Sequence, residues 1–299
     1  MTTTDELRAR LGRVGIWMPP PERIGVDPAG VAVAIENAGF NSLWEGGGNP
    51  DQAALDRIRT QLTASAGLIV GTGIASVWTW DPAQVRTAAE DLNAEFPGRF
   101  ILGLGVSHAP AVEAQGHHYQ RPLAKMEKFL DELGHPAGHG AERPLPPIVL
   151  AALGPKMLEL SRDQALGTHP YFTTPEHTRF AREVLGPAPL VIPELAFTLA
   201  GPAEGAATAR AYADRYLKLP NYTNNLKRFG FGPEDIAGTG SDRLISQVIP
   251  NGPEALRERV QAHLDAGADH VVLQPLGDGV FTAAALTALA ETVADLLKR

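Results

Sequence analysis

The 299-residue sequence predicts a single-domain α/β protein with a (β/α)8 TIM-barrel fold. Eight short apolar runs alternate with eight longer amphipathic segments, which is the order of strands and helices in this fold. The apolar runs are continuous, as expected of strands that are buried on both faces. A doubly wound open sheet is the alternative, but no GxGxxG phosphate turn follows the first strand, which ends in Met18-Pro19-Pro20-Pro21.

The predicted strands are short and mostly aliphatic. In chain order they are Val14–Met18, Ser42–Glu45, Leu68–Val77, Phe100–Gly105, Ile148–Ala152, Leu166–His169, Val191–Thr198 and His270–Gln274. The helices predicted after them are Pro28–Ala38, Asp51–Ser65, Pro82–Glu95, Leu123–Leu133, Pro155–Gln164, Pro175–Leu185, Ala203–Leu217 and Thr282–Leu297. Asp81-Pro82, Thr174-Pro175 and Gly252-Pro253 each place a capping residue before a proline at the first helical position.

Two longer excursions interrupt this regular alternation. Val106–Pro147 follows strand 4, and Pro220–Gly252 follows helix 7 and precedes a further helix at Pro253–Ala266. Long inserts on a barrel are usually functional loops, so the sequence predicts insertions rather than a second domain.

Composition excludes several classes of function. The formal net charge is −8, which argues against binding to nucleic acid or an anionic membrane. The absence of cysteine excludes disulfides, thiolate metal ligands and cysteine nucleophiles. The first residues lack the apolar core of a signal peptide, and no apolar run reaches the about 18 residues of a membrane span. These features predict a cytoplasmic protein.

Metal and Schiff-base chemistry are both disfavoured. His117 and His118 are adjacent and therefore point in different directions on a regular element. His135 and His139 have helical spacing, but Pro136 and glycines interrupt any helix there. No lysine lies within a predicted strand, which weakens an aldolase interpretation.

The strand ends are rich in aromatic residues and glycine. In a barrel, chemistry collects at the carboxyl ends of the strands. All four tryptophans, Trp17, Trp44, Trp78 and Trp80, lie there, beside turns such as Gly46-Gly47-Gly48. Aromatic walls with room for close backbone approach suit a large flat ligand. Alternatively, the tryptophans simply fill the mouth of the barrel.

Polar residues at the same ends supply candidates for acid–base work and for phosphate binding. The acid–base candidates are Glu45, His108, His169, Tyr171 and Glu194, each of which could equally be a structural hydrogen bonder. The turn Gly154-Pro155-Lys156-Met157 begins a helix with free N–H groups and a positive charge, an arrangement that attracts phosphate. A plain structural turn explains the same pattern.

Most of the chain resembles the luciferase-like oxidoreductases, barrels of the bacterial-luciferase type that use FMN or the deazaflavin coenzyme F420. The resemblance rests on IENAGFNSLWEGGG (35–48), residues 69–110 with PGRFILGLGV, residues 152–187, PNYTNNLKRFGF (220–231) and VQAHLDAGADHVVLQPL (260–276). HPY, TPEHT and LPNY resemble an actinobacterial subgroup presumed to use F420. The sugar-phosphate dehydrogenase branch is a poorer match, because its acid–base residue after strand 2 is not evident at Glu45 and the glycines that follow.

The resemblance implies where a cofactor would lie. Family members often carry a non-prolyl cis peptide at the end of strand 3, and by position this bond would be Ser76–Val77, with Trp78 and Trp80 beyond it. The phosphate site would include Ser107, His108 and the Gly154–Met157 turn. The full set of implied cofactor-binding residues is Trp44, Ser76, Val77, Trp78, Gly105, Ser107, His108, Gly154, Pro155, Lys156 and Met157.

The predicted function is that of an F420-dependent oxidoreductase. A hydride would move between C5 of the deazaflavin and a small organic substrate, with Glu45, His169 or Tyr171 handling the proton. An FMN-dependent monooxygenase and a non-enzymatic F420 carrier are the alternatives. The resemblance also implies a homodimer.

Overall fold

The computed structural model describes residues 4–46, 52–134 and 144–297. Over these ranges it contains one sheet of ten strands, all paired in parallel. The strands are β1 (Val14–Met18), β2 (Ser42–Glu45), β3 (Ile69–Thr72), β4 (Ala75–Ser76), β5 (Phe100–Gly105), β6 (Ile148–Leu150), β7 (Gly167–Thr168), β8 (Leu190–Val191), β9 (Glu194–Phe197) and β10 (Val271–Pro275).

The ten strands make eight barrel positions because two positions are each built from two short strands. Both β3 and β4 pair with β5 and together form the third position. The seventh position consists of β8 and β9, which pair with β7 and β10 respectively. Only Ile192 and Pro193 separate these two halves, and Ile192 N–H donates to Thr168 O at 2.9 Å. The sheet is therefore closed, and the predicted (β/α)8 barrel is confirmed.

Helices surround the barrel and fill the connections. They are α1 (Thr4–Leu11), α2 (Pro21–Ile24), α3 (Pro28–Asn37), α4 (Gln52–Ala64), α5 (Pro82–Glu95), α6 (Ala109–Glu113), α7 (Pro122–Gly134), α8 (Pro155–Gln164), α9 (Pro175–Leu185), α10 (Pro202–Leu217), α11 (Pro220–Arg228), α12 (Pro233–Ile236), α13 (Asp242–Val248), α14 (Pro253–Asp265), α15 (Ala283–Thr292) and α16 (Ala294–Leu297). The Asp81 carboxylate accepts from the N–H groups of Ala83 and Gln84, as its position before Pro82 predicts.

Helix α1 closes the amino-terminal end of the barrel, which the sequence did not predict. Leu7 and Leu11 are buried against inward-facing strand residues such as Trp44 and Ile101. A second and larger apolar cluster lies between the outer faces of the strands and the helices. The amino-terminal end of the barrel is thus filled by α1, and the open end is the carboxyl end of the strands.

The second insertion is wider than predicted. The apolar face of α10 packs with α11 and α13 in a cluster of its own, around Ala213, Leu226 and Leu244. The helix that contacts α9 and β10 in the outer ring is instead α14. Residues 202–248 therefore form a helical cap beside the carboxyl end of the barrel.

The cis peptide bond lies three residues earlier than expected. Among the described residues the non-prolyl cis bond is Gly73–Ile74, not Ser76–Val77. The predicted strand Leu68–Val77 is divided there, because Gly73 and Ile74 lie between β3 and β4. The bulge implied by the resemblance is present, at a different position.

Several residues used in the sequence interpretation lie outside the described residues, namely Gly47, Gly48, His135, Pro136 and His139. Within the described ranges, no helix is both long and apolar enough to cross a membrane. No group of three or more His, Cys, Asp or Glu side chains in those ranges is placed to hold a metal ion.

Candidate active site

A cavity of about 710 Å³ opens at the carboxyl end of the barrel. It is bordered by the loops after most strands and by the helical cap. The lining residues are Trp17, Pro19, Pro20, Arg23, Gly46, Gly73, Ile74, Val106, Ser107, His108, Tyr119, Pro122, Leu123, Ala151, Ala152, Leu153, Gly154, Pro155, Lys156, Met157, His169, Pro170, Tyr171, Glu194, Tyr216, Asn221 and Tyr222. Most of the wall is apolar or aromatic, with a few polar groups at defined places, as in small-molecule sites.

Trp17, Gly73 and His169 meet at the base of this cavity. The indole N–H of Trp17 donates to Gly73 O at 2.9 Å. A Cβ on Gly73 would lie 3.0 Å from the Trp17 ring and 3.1 Å from His169 Nε2. Gly46 similarly leaves space for Trp17, because a Cβ there would lie 2.4 Å from the indole. The glycines at these strand ends therefore allow an aromatic ring and an imidazole to lie against the backbone.

His169 and Glu194 form a buried pair that borders the cavity. The His169 side chain is 1% exposed and the Glu194 side chain 6%. His169 Nδ1 lies 2.8 Å from Ile192 O, and since a carbonyl can only accept, Nδ1 carries a hydrogen. His169 Nε2 has no hydrogen-bond partner and lies 3.5 Å from Glu194 Oε2. Burial raises the pKa of Glu194, while the neighbouring His169 opposes that shift.

Trp44 supports the imidazole of His169 from within the barrel. The two rings stack with centroids 4.7 Å apart. The Trp44 indole N–H donates to Ser42 Oγ at 3.2 Å, and Ser42 Oγ lies 2.9 Å from His270 Nε2. Burial lowers the pKa of His270 to about 4, so this ring is neutral and can accept from the hydroxyl. A chain of hydrogen bonds therefore fixes the ring on which His169 rests.

Two turns make the polar end of the cavity. Ser107 adopts a positive φ of 54° after β5, and His108 follows it. His108 Nδ1 is buried without a hydrogen-bond partner, and Tyr222 Oη lies 3.5 Å from its Nε2. Burial lowers the pKa of His108, so it is a neutral donor or acceptor here. The second turn is at Gly154, which is the N-cap residue of α8. It leaves the first N–H groups of that helix exposed.

Tyr171 belongs to a cluster of phenols under the helical cap. Its hydroxyl donates to Tyr212 Oη at 2.7 Å, and Gln274 Nε2 donates to the same oxygen at 2.7 Å. Tyr212 Oη is 3.0 Å from Tyr216 Oη. Burial raises the pKa of Tyr171 well above its ordinary value. Tyr171 lines the cavity as predicted, but its hydroxyl proton is donated to Tyr212 within the cluster.

Glu45 faces away from the cavity, contrary to its predicted catalytic position. Its carboxylate accepts from Arg57 Nε at 3.0 Å and from Gln61 Nε2 at 2.7 Å, both on α4. Successive strand residues point to opposite faces, and Trp44 takes the inward direction on β2. Glu45 must then point outward toward the helices.

Five of the predicted cofactor-binding residues do not line the cavity. Trp44 is fully buried inside the barrel, and Val77 is fully buried in the outer core. Trp78 donates to Val106 O at 2.7 Å, beside rather than within the cavity. A Cβ on Gly105 would lie 2.5 Å from Ile74 Cδ1, so this glycine makes room for that side chain. Ser76 is also outside the lining.

The tryptophans therefore do not share one rim. Trp17 lines the cavity, whereas Trp80 borders a separate cavity between α4 and α5. The predicted residues that do line the cavity are Ser107, His108, Gly154, Pro155, Lys156, Met157, His169 and Tyr171. Sequence interpretation named Glu194 as an acid–base candidate and Trp17 as a strand-end residue, but it included neither in the predicted set of site residues. It did not assign Gly73, Ile74, Arg23, Tyr119 or Tyr216. Asn221 and Tyr222 lie in the PNYTNNLKRFGF segment, whose resemblance to the family was the available signal.

A closed parallel barrel with a cavity at the strand carboxyl ends is the architecture of the (β/α)8-barrel enzymes. The family described as luciferase-like monooxygenase matches residues 27–297, and the chain belongs to that family. Among curated proteins, the chain is 26% identical over 153 residues to the 5,10-methylenetetrahydromethanopterin reductase of Methanolobus tindarius. That match covers 46% of this chain and 47% of the reductase, so the chain spans about half the length of this relative.

Solved structures share the fold over nearly the whole chain. The coenzyme F420-dependent tetrahydromethanopterin reductase of Methanopyrus kandleri has a TM-score of 0.73 at 15% identity, covering 96% of this chain and 99% of its own. An F420-dependent secondary alcohol dehydrogenase in complex with an F420–acetone adduct gives 0.73 at 13% identity, with coverage of 96% and 99%. The oxygenating constituent of 3,6-diketocamphane monooxygenase from Pseudomonas putida, in complex with FMN, gives 0.70 at 14% identity, with coverage of 95% and 98%.

Proposed function

We propose that this protein is an F420-dependent oxidoreductase. The observation that carries the proposal is that one cavity joins the Gly73–Ile74 bulge to the turns at Ser107-His108 and Gly154–Lys156. The substrate would be a small organic molecule with a carbonyl, an alcohol or an activated double bond. The similar reductase and alcohol dehydrogenase carry F420 in their names, which supports this choice of coenzyme.

The residues of the cavity fit a coenzyme with a flat ring and a phosphate. Its volume of about 710 Å³ lies within the range of cofactor sites. The missing Cβ of Gly73 leaves space at the base, beside the Trp17 ring. His108 Nδ1 is a buried polar atom that lacks a partner, and Lys156 adds a positive charge at the start of α8. A helix N-terminus with a nearby cation favours an anionic group.

Each part of the cavity has its own task in this proposal. Bound F420 supplies the carbon that gives or accepts a hydride. Trp17 and the Gly73–Ile74 bulge support the ring, while Ser107, His108 and the Gly154–Met157 turn hold the phosphate. His169 lies at the base and handles the proton. The apolar wall around Leu123 and Leu153 excludes water from the reacting atoms.

A comparison of the protein's affinities for the two coenzymes tests the proposal. F420 and FMN are titrated separately into the purified protein, and fluorescence quenching gives each dissociation constant. F420 is expected to bind at least tenfold more tightly, and its reduced form to be oxidised by an activated alkene or a carbonyl compound. Tighter FMN binding with oxygen uptake would instead establish a monooxygenase, a function supported by the similar FMN-containing structure. F420 that binds but is never reduced or oxidised would indicate a carrier.

A homodimer and a cytoplasmic location remain predictions from the sequence. Light scattering of the purified protein gives the mass in solution, and a value of one chain, 31.8 kDa, would exclude the dimer.

A further inference from the structure

We propose that His169 and Glu194 hold one shared proton at the base of the cavity and exchange it with the substrate. This inference rests on the proposed hydride-transfer function, because the proton accompanies the hydride. The sequence interpretation named Glu194 only as one of five acid–base candidates, and the structure adds its pairing with His169.

The geometry leaves a single place for this proton. His169 Nδ1 already carries the hydrogen that it donates to Ile192 O at 2.8 Å. The other ring nitrogen, Nε2, is buried without a hydrogen-bond partner and lies 3.5 Å from Glu194 Oε2. The pair has one exchangeable proton, which can lie on the Glu194 carboxyl or on His169 Nε2, and in both states the pair as a whole is neutral. Both side chains border the cavity, so a substrate can reach them.

The surroundings favour such a neutral pair. Among the described residues, the ion pair of Glu194 is the one with His169. The other titratable groups that face Glu194 are the phenols of Tyr171, Tyr212, Tyr216 and Tyr222. Burial raises the pKa of each phenol, so all four are uncharged at neutral pH. An unpaired carboxylate in this place would be costly, whereas a carboxyl group that shares its proton is not.

The three other acid–base candidates are less suitable. His108 lies at the polar end of the cavity, beside Tyr222. Glu45 is directed at Arg57 and Gln61 on the outer side of the barrel. The proton of Tyr171 is engaged with Tyr212. His169 and Glu194 remain as the pair with an exchangeable proton at the cavity base.

The step balances for reduction of a carbonyl substrate. Reduced F420, when bound, would supply the hydride and with it the two electrons that reduce the carbonyl carbon. The C=O π pair moves to the oxygen, and that oxygen takes the shared proton to form a hydroxyl. The pair is left as a Glu194 carboxylate beside a neutral His169, and solvent then restores the proton. Oxidation of an alcohol follows the same path in reverse.

Nitrogen NMR of the coenzyme-free protein tests the shared proton directly. The protein is labelled with 15N-histidine, and the His169 signals are assigned with a His169→Asn variant. At pH 7 the Nε2 resonance is expected between the positions of a bare and a protonated imidazole nitrogen. Glu194→Gln, which keeps the size and removes the exchangeable proton, should move the signal to the bare position. Glu45→Gln changes the other buried strand-end carboxyl and should leave the signal where it is.

A wild-type Nε2 signal at the bare position overturns the proposal, whether or not the Glu194→Gln variant folds. The same conclusion follows if the signal is intermediate and Glu194→Gln leaves it unchanged. Both results are obtained without coenzyme and are therefore independent of whether F420 binds.

Turnover tests the use of the proton. With cyclohexanone as the probe, oxidation of reduced F420 by Glu194→Gln should be slower on the order of a hundredfold. The dissociation constant of F420 should change less than about threefold, since Glu194 lies beside His169 at the cavity base and not in the turns proposed to hold the phosphate. Equal turnover by wild type and variant contradicts proton donation. Absence of F420 binding by the wild type counts against the proposed function, whereas the NMR signal still decides the shared proton.

Discussion

Gly73 allows two side chains to lie against the backbone at the cavity base. A Cβ at this position would lie 3.0 Å from the Trp17 ring and 3.1 Å from His169 Nε2, and both distances are shorter than most contacts of real Cβ atoms. Neither ring can move freely. Trp17 is held by its hydrogen bond to Gly73 O, and His169 is held by Ile192 O and by the stack on Trp44.

Gly73→Ala is therefore expected to weaken F420 binding at least tenfold, because the base of the cavity must shift. Fluorescence-quench titration measures the affinity. The matched control is Gly201→Ala, since a Cβ on Gly201 meets nothing within 4 Å. Wild-type affinity in the Gly73 variant would show that the ring does not approach this position.

Glu45 illustrates what sequence interpretation of single residues can miss. The bounds of β2 were predicted correctly, but the direction of its side chains depends on which of two alternate sets faces inward. Trp44 and Glu45 are both compatible with either direction. The contacts of Glu45 with Arg57 and Gln61 on α4 determine its direction. The sequence of the strand alone does not reveal these contacts.

Glu45→Ala should destabilise the fold by roughly 3 kcal/mol, because it leaves Arg57 without its buried partner. Burial of the carboxyl raises its pKa in spite of Arg57, which fits a group enclosed between strand and helix. Urea unfolding measures the loss, and F420 affinity should stay within about threefold. Loss of F420 affinity with an unchanged free energy of unfolding would show that Glu45 belongs to the active site.

At the level of secondary structure, α1 shows how a short amphipathic helix completes a barrel. The sequence pattern of Thr4–Leu11 is polar, with only two leucines that face inward, so periodicity alone gives a weak signal. Its position depends on Arg8, whose Nε donates at 2.7 Å to Asp269, a residue distant in sequence that lies just before β10. Such long-range contacts explain why α1 was missed while β1, β2, β5, α5, α8 and α9 were predicted with their observed bounds.

Leu7→Ala should lower the free energy of unfolding by about 3 kcal/mol, as for other fully buried leucines. Leu199 is the control. This residue is 41% exposed, so its change to alanine should lower the free energy of unfolding by less than about 0.5 kcal/mol. Urea unfolding of both variants measures the difference. Equal stability of the two would mean that α1 does not seal the barrel.

At the level of the whole molecule, buried neutral histidines connect stability to pH. Burial lowers the pKa of His177 to about 4, of His263 to about 3 and of His270 to about 4. In the unfolded chain these rings accept protons below a pH of about 6.5. The unfolded state therefore binds more protons in this window, so stability is complete above pH 6.5 and declines as the pH falls toward 4.

The free energy of unfolding should thus be lower at pH 5 than at pH 7.5 by at least about 2 kcal/mol. Urea titrations at the two pH values measure it. His263→Gln should reduce the pH dependence, and His118→Gln, a change at an exposed histidine, should not. A pH dependence that is identical in all three proteins would exclude the buried ring as a cause.

The overall architecture was largely predictable, and the site only in part. Eight apolar runs with capped helices between them specify a barrel, because each strand must be buried on both faces. The turns at the polar end of the cavity were named from the sequence because Gly154-Pro155 and Ser107-His108 come shortly after strands. The base of the cavity was not predictable, since it depends on which strand residues point inward and on the bulge at Gly73–Ile74.

The closure of the barrel by α1 also constrains the order of events in catalysis. Leu7 and Leu11 fill the amino-terminal end of the barrel. Coenzyme and substrate must therefore enter through the carboxyl end, beneath the α10–α13 cap. A coenzyme ring at the base would sit behind any substrate that entered later. Initial-rate kinetics should therefore show a compulsory sequence, in which coenzyme is first to arrive and last to depart.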